Sequence, residues 1–156
     1  MHPVRQHKLR KKSERASGIR AGHDSFALGL SSASTDRLLL RLQEGLPFKM
    51  LSMLATQSGI PMRELATVIE IPERTLARRR LAGRLSRDES ERLLRVARVV
   101  SKAVQLFEGN VGAAVTWLRS PQKALSHNTP LNYARFELGA AEVENLIGQL
   151  EHGVFS

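Results

Sequence analysis

The chain has 156 residues, 42% of them apolar, enough for one ordinary core or two small ones, each a few helices deep. It has no cysteine, which excludes disulfides, thiolate nucleophiles and cysteine metal sites. Lys and Arg number 24 against 15 Asp and Glu, a formal charge of +9 that favours polyanionic partners, nucleic acid first.

Residues 1–33 carry Arg5, Lys8, Arg10, Lys11, Lys12, Arg15 and Arg20 against Glu14 and Asp24 and show almost no apolar period. They read as a flexible basic arm able to collapse onto phosphates, with a solvated tail as the plain alternative. No apolar run reaches bilayer-spanning length, and the basic start lacks the apolar stretch of a secretion signal. The expectation is a cytoplasmic protein with no membrane partner, associated with the nucleoid when DNA-bound.

From about Thr35 the pattern is helical throughout, and Gly and Pro mark the joints. Asp36 to Glu44 forms a first helix closed by Gly45, and Pro47 introduces a second through Phe48, Leu51, Leu54 and Ala55, ending at Gly59. Pro61 opens a short helix with Leu65, Val68 and Ile69, and Pro72 with Glu73 starts the next. Ser86 and Glu89 have the spacing of a capping box, so a long helix should run from there to about Phe107, buried along more than one side. Beyond Gly109 three shorter helices are expected: Val111 to Leu118, Leu131 to Leu138 closed by Gly139, and Ala141 to about Glu151. The expected organisation is therefore all-α: the arm over 1–33, a helix-turn-helix domain with its long connecting helix over 34–108, and a separate helical module over 109–156.

The stretch from Met62 to Arg80 reads as a positioning helix, a turn and a recognition helix. Ala66 permits a close helix crossing, while Ile71 and Leu76 fill the angle between the helices. At about 100° per residue, burying Leu76 turns Arg74 and Arg78 outward, where each planar guanidinium suits the paired O6 and N7 acceptors of guanine. Thr75 is a candidate for a phosphate or a thymine methyl, and Arg79, Arg80 and Arg84 are candidates for backbone phosphates. A solvated arginine face is the plainer reading of the same run. Trp117 reads first as a core anchor, and His152 as a helix C-terminal feature. His2, His7, His23, His127 and His152 lack metal-ligand spacing, and no nucleophile elbow, Gly-rich phosphate loop or paired carboxylate motif accompanies them. No catalytic residue, metal site or cofactor is expected, and the protein is read as a non-enzyme.

These residues resemble a known family over about positions 40 to 156. In the first half the match rests on Glu64-Leu65-Ala66, Arg74-Thr75-Leu76, Arg78-Arg79-Arg80, Gly83, Leu85-Ser86, Glu89-Ser90 and the run Arg92 to Arg95. In the second it rests on Ala114, Trp117-Leu118, Pro121, Ala124-Leu125, Thr129-Pro130-Leu131, Gly139-Ala140, Val143 and His152-Gly153-Val154. The pattern is similar to the Xre-type helix-turn-helix followed by the toxin-binding domain of the MbcA/ParS/Xre antitoxins. Glu70 stands where such turns usually have glycine, and Ser126 with His127 replaces the small Gly-rich link common before Thr-Pro.

The resemblance implies a dimeric antitoxin that represses its own operon and binds a RES-domain toxin, an NAD-consuming partner, in a higher-order complex. It further implies that the last helix and tail lie against the toxin's catalytic cleft, which places Leu150, Glu151, His152, Val154 and Phe155 at the contact. Glu151 would there pair with a cation that otherwise holds the pyrophosphate of NAD. Dimer symmetry would make the operator an inverted repeat. The long helix from Leu94 to Val104 and the segment before Phe48 are both candidate dimer surfaces. Other readings are a free-standing regulator whose C-terminal module only dimerises or senses a ligand, an RNA-binding protein, disfavoured by 4% aromatic residues, and a pure protein adaptor.

Overall fold

The computed structural model describes residues 34–153. The basic arm over 1–33 and the tail positions Val154 and Phe155 lie outside the described residues. Within them every regular element is helical: α1 (Thr35–Glu44), α2 (Phe48–Ser58), α3 (Met62–Val68), α4 (Glu73–Ala82), α5 (Arg87–Leu106), α6 (Val111–Leu118), a 3-10 turn (Lys123–Leu125), α7 (Pro130–Tyr133) and α8 (Glu137–Glu151). Extended pairing is confined to the isolated antiparallel bridges Pro47–Arg84 and Gln122–Asn128.

The helix starts follow local chemistry. Ser34 caps α1 by accepting from the Arg37 N–H. Pro47, Pro61 and Pro72 each sit one residue before a helix, their fixed φ joined to an extended ψ. Ser86 Oγ accepts from the Glu89 N–H at 3.2 Å while Glu89 Oε1 accepts from the Ser86 N–H at 2.8 Å, a complete capping box for α5. Gly45 ends α1 at φ 87°, and a β-carbon there would lie 2.1 Å from the Leu85 carbonyl oxygen. That approach lets the segment after α1 pair with the segment after α4, through Leu85 N–H to Leu46 O and Phe48 N–H to Gly83 O.

Helix α5 is the spine of the molecule, packed against α1, α2, α6 and α8. Its residues Leu93, Val96, Ala97, Val99, Val100, Ala103 and Val104 are all buried, as two adjoining apolar stripes require. They join Leu51, Leu54, Leu65 and Ile69 of the first half to Ala114, Leu118, Val143 and Ile147 of the second in one continuous core. The second half is thus packed onto the same core as the first. This also removes the apolar stripes of α5 from the candidate dimer surfaces, whereas Leu39 and Leu40 on α1 remain 52% and 59% exposed.

The second half departs from expectation at one joint. The helix expected from Leu131 to Leu138 is a single turn, and Gly139 lies in the first turn of α8 instead of ending α7. A β-carbon on Gly139 would stand 2.0 Å from the Tyr133 carbonyl oxygen, so glycine is required by the close approach of α7 to α8. Between α6 and α7, Ser126 and His127 both take left-handed conformations, at φ 53° and 65°, as the chain doubles back to the Gln122–Asn128 bridge.

Candidate nucleic-acid interface and partner-binding module

Helices α3 and α4 form the helix-turn-helix. Glu70 takes the left-handed conformation of the turn at φ 59°, the Ile71 N–H donates to the Ala66 carbonyl at 2.8 Å, and Ala66 and Ile71 are buried. Leu76 packs against the core from α4. No residue of α4 is fully buried, so the helix lies on the surface and is held from one side only.

The six candidate DNA contacts divide sharply. Arg74 and Arg78 are exposed on α4 and meet no hydrogen-bond or ion-pair partner among the described residues, while Thr75 beside them is half-buried. Arg79 turns the other way. Its Nε donates to Glu89 Oε1 at 2.8 Å, and the two side chains are only 26% and 7% exposed. Arg84 donates to the Gly45 carbonyl at 2.7 Å and braces the α1–α2 joint. The Arg80 guanidinium sits 5.6 Å from the centre of the Phe48 ring, a cation–π contact that leaves it at the edge of the exposed face. Two of the three consecutive arginines therefore have intramolecular roles that sequence spacing does not reveal. Arg63 pairs with Glu73 at 3.6 Å across the groove between α3 and α4, both about nine-tenths exposed, so that contact is weak.

Burial by itself pushes the Glu89 carboxyl up, but the Arg79 guanidinium and the Ser86 N–H and hydroxyl outweigh it, and the group is held below the ordinary carboxylate value. Glu144 on α8 is similar: desolvation raises it, and Arg98 at 2.7 Å with Lys102 at 3.3 Å brings it below normal.

A set of polar contacts, not singled out by sequence, ties the second half to the helix-turn-helix. Arg119, just past α6, holds both carboxylate oxygens of Glu64 on α3, at 3.1 and 2.9 Å. Arg92 donates to the Ile69 carbonyl at 2.7 Å, at the entrance to the turn. Arg95 donates to the Arg135 carbonyl at 2.7 Å and pairs with Glu137 at 3.3 Å, and Arg135 reaches the Thr67 carbonyl at 3.5 Å. Helix α3 and its C-terminal end are thus braced by side chains of α5, of the residue after α6 and of the α7–α8 joint.

At the far end of α8, Leu150 is 37% exposed and Glu151 and His152 are exposed. His152 occupies the C-cap position, and its N–H donates to the Gly148 carbonyl. Trp117 is half-buried, its ring centre 6.3 Å from that of Phe107. Phe136 and Leu138 are 61% and 81% exposed at the start of α8, a second apolar feature of this half that the sequence reading missed. Among the described residues no group of His, Cys, Asp or Glu could hold a metal ion, and no helix is long and apolar enough to cross a membrane.

A surface helix set on a helix-turn-helix and aiming free arginines outward, backed by a second helical unit with exposed apolar residues, defines a DNA-binding protein with a partner-binding module. Residues 37–98 match the antitoxin Xre-like helix-turn-helix domain, and residues 102–153 match the antitoxin Xre/MbcA/ParS C-terminal toxin-binding domain. An antitoxin Xre of Yersinia enterocolitica is 40% identical over 130 residues, 83% of this chain and 88% of that protein. One of Photorhabdus laumondii is 35% identical over the same shares, and one of Pseudomonas putida is 36% identical over 84 residues, 53% of this chain and 52% of its own. The chain belongs to the Xre antitoxin family: a DNA-binding antitoxin, not an enzyme, whose partner is a toxin.

Proposed function

We propose that this antitoxin neutralises a RES-domain, NAD-degrading toxin by covering its active site, and represses its own operon by binding an inverted-repeat operator as a dimer. The observation that carries the DNA half is the division among the arginines: Arg74 and Arg78 stand unpartnered on the outward face of α4 while Arg79 and Arg84 are held internally. Arg74 and Arg78 then read guanines, and Arg80 and Thr75 contact the backbone at the edge of the same face. The toxin half rests on the match of residues 102–153 to a toxin-binding domain and on the exposed end of α8, where Leu150, Glu151 and His152 lead into Val154 and Phe155. Leu39 and Leu40 of α1 are the dimer surface, because the apolar stripes of α5 are buried within the chain. Such a protein works in the cytoplasm, on the nucleoid.

The test is co-expression with the neighbouring gene product, purification through a tag on one partner, and measurement of cellular NAD with and without this chain. Co-purification together with NAD protected only in its presence supports the reading. A neighbour that neither binds nor depletes NAD refutes the RES assignment. Within the complex, Arg74→Ala with Arg78→Ala should abolish operator binding and leave neutralisation intact, whereas a chain ending at Gln149 should do the reverse. Neutralisation that survives Glu151→Ala at full strength removes that carboxylate from the contact.

A further inference from the structure

Leu81 has its side chain almost entirely in water, at 92% the most exposed large apolar residue among those described. A single exposed leucine is ordinary; its direction is what matters here. At about 100° per residue, Thr75, Leu76 and Arg79, the half-buried residues of α4, centre on one side of the helix, and Leu81 lies almost directly opposite. It falls about 20° from Arg74 and about 60° from Arg78, with Ala77 on its other flank. The outward stripe of the helix is therefore Arg74, Ala77, Arg78 and Leu81: two cations and two apolar groups sharing one face.

We propose that Leu81, with Ala77, reads the methyl group of a thymine in each operator half-site. The proposal rests on the assignment of α4 as the DNA-reading helix and adds a specificity determinant to it. In the major groove the thymine 5-methyl is the only apolar group on a base edge, so an apolar side chain on the arginine stripe has one matching target. Leu81 is displaced along the helix by about 10 Å from Arg74 and about 4.5 Å from Arg78, at 1.5 Å per residue. With about 3.4 Å between base pairs, the thymine lies about three pairs from the Arg74 contact and about one from the Arg78 contact. The stripe thus specifies a short half-site of guanines followed by thymine, with the leucine at the end nearest the helix C-terminus.

The experiment is selection of a randomised duplex pool on the full-length protein, followed by binding titrations in which each enriched thymine is replaced singly by deoxyuridine. That change removes the methyl and leaves the Watson–Crick edge intact. The wild-type protein should bind about fourfold more weakly when the contacted thymine of a single half-site is replaced, the loss expected for one methyl-sized apolar contact. Leu81→Ala should bind thymine and uracil duplexes equally, with an unchanged unfolding temperature and an unchanged oligomeric state. A wild-type protein indifferent to uracil at every position, or Leu81→Ala retaining the methyl preference, overturns the proposal. So does Leu81→Ala dissociating the dimer in sedimentation, which would assign the side chain to a protein interface. A pool that enriches no sequence at all counts instead against α4 as a DNA-reading helix.

Discussion

Replacing Arg79 by alanine removes the hydrogen-bonded cation from a carboxylate that the fold has taken out of water. Glu89 keeps its bond from the Ser86 N–H, but the charge on a side chain 7% exposed then has no counter-ion. Breaking a fully buried pair from one side costs about 3–5 kcal/mol, and the partial exposure of Arg79, 26%, reduces this to about 2 kcal/mol. For a folded unit of this size that lowers the unfolding temperature by about 8 °C. The assay is thermal unfolding followed by circular dichroism at 222 nm, with Arg78→Ala as the internal control. Arg78 has no partner to lose, so that variant should melt with the parent while its operator affinity drops by about 1–3 kcal/mol. Arg79→Ala should show the opposite profile, with near-parental DNA binding at temperatures where it is folded. In a Glu89→Gln background no buried charge is left behind, and the cost of Arg79→Ala should fall to less than half. Two results would refute the reasoning: Arg79→Ala melting within about 1 °C of the parent, or an equal cost in both backgrounds.

Acid should unfold the protein through the same carboxylates. Glu89 and Glu144 are both held below their ordinary value in the folded state, so their stabilisation is complete above the unfolded carboxylate range near about 4.3 and is lost as pH falls through their lower folded values. Urea titrations from pH 6 down to 3 should show a decline that Glu144→Gln flattens. At the turn of the helix-turn-helix, Glu70→Gly should be more stable than Glu70→Ala by about 1 kcal/mol, because both lose the carboxylate but only glycine takes a φ of 59° without strain. Equal chemical-denaturation midpoints for the two would remove backbone strain as a factor. Gly139→Ala should destabilise by about 2 kcal/mol, since its methyl meets backbone at 2.0 Å and cannot be relieved by a rotamer change. A melting temperature unchanged from the parent would show that α7 is free to move away from α8.

What local chemistry sets was legible in the sequence. The proline and glycine punctuation, the Ser86–Glu89 capping box and the two stripes of α5 all follow from contacts within about four residues, and burying Leu76 was enough to turn Arg74 and Arg78 outward. What was not legible depends on residues far apart in the chain. Arg78 and Arg79 are the same amino acid at consecutive positions, and only the arrival of the α5 cap beside α4 makes one internal and leaves the other free. Arg84 is fixed by a carbonyl 39 positions earlier, and Arg119 by a carboxylate 55 positions earlier. Gly139 misled for a related reason: a glycine after an apolar helical run reads as a stop, yet its function is to admit a neighbouring backbone, a requirement no local pattern displays.

The way α5 serves both halves bears on how such proteins can diversify. A recombination event that kept residues before the α5–α6 joint and replaced those after it would separate Val99, Val100, Ala103 and Val104 from Ala114, Leu118, Val143 and Ile147, and would leave Glu64 facing a foreign surface. Such a hybrid would need the incoming half to match both the apolar face of α5 and the cation at position 119. On the proposed reading of α4 and of the end of α8, operator choice and toxin choice are inherited as a linked pair. New combinations should arise by point changes on the two exposed ends, the outward stripe of α4 and the tip of α8, more readily than by exchange of halves.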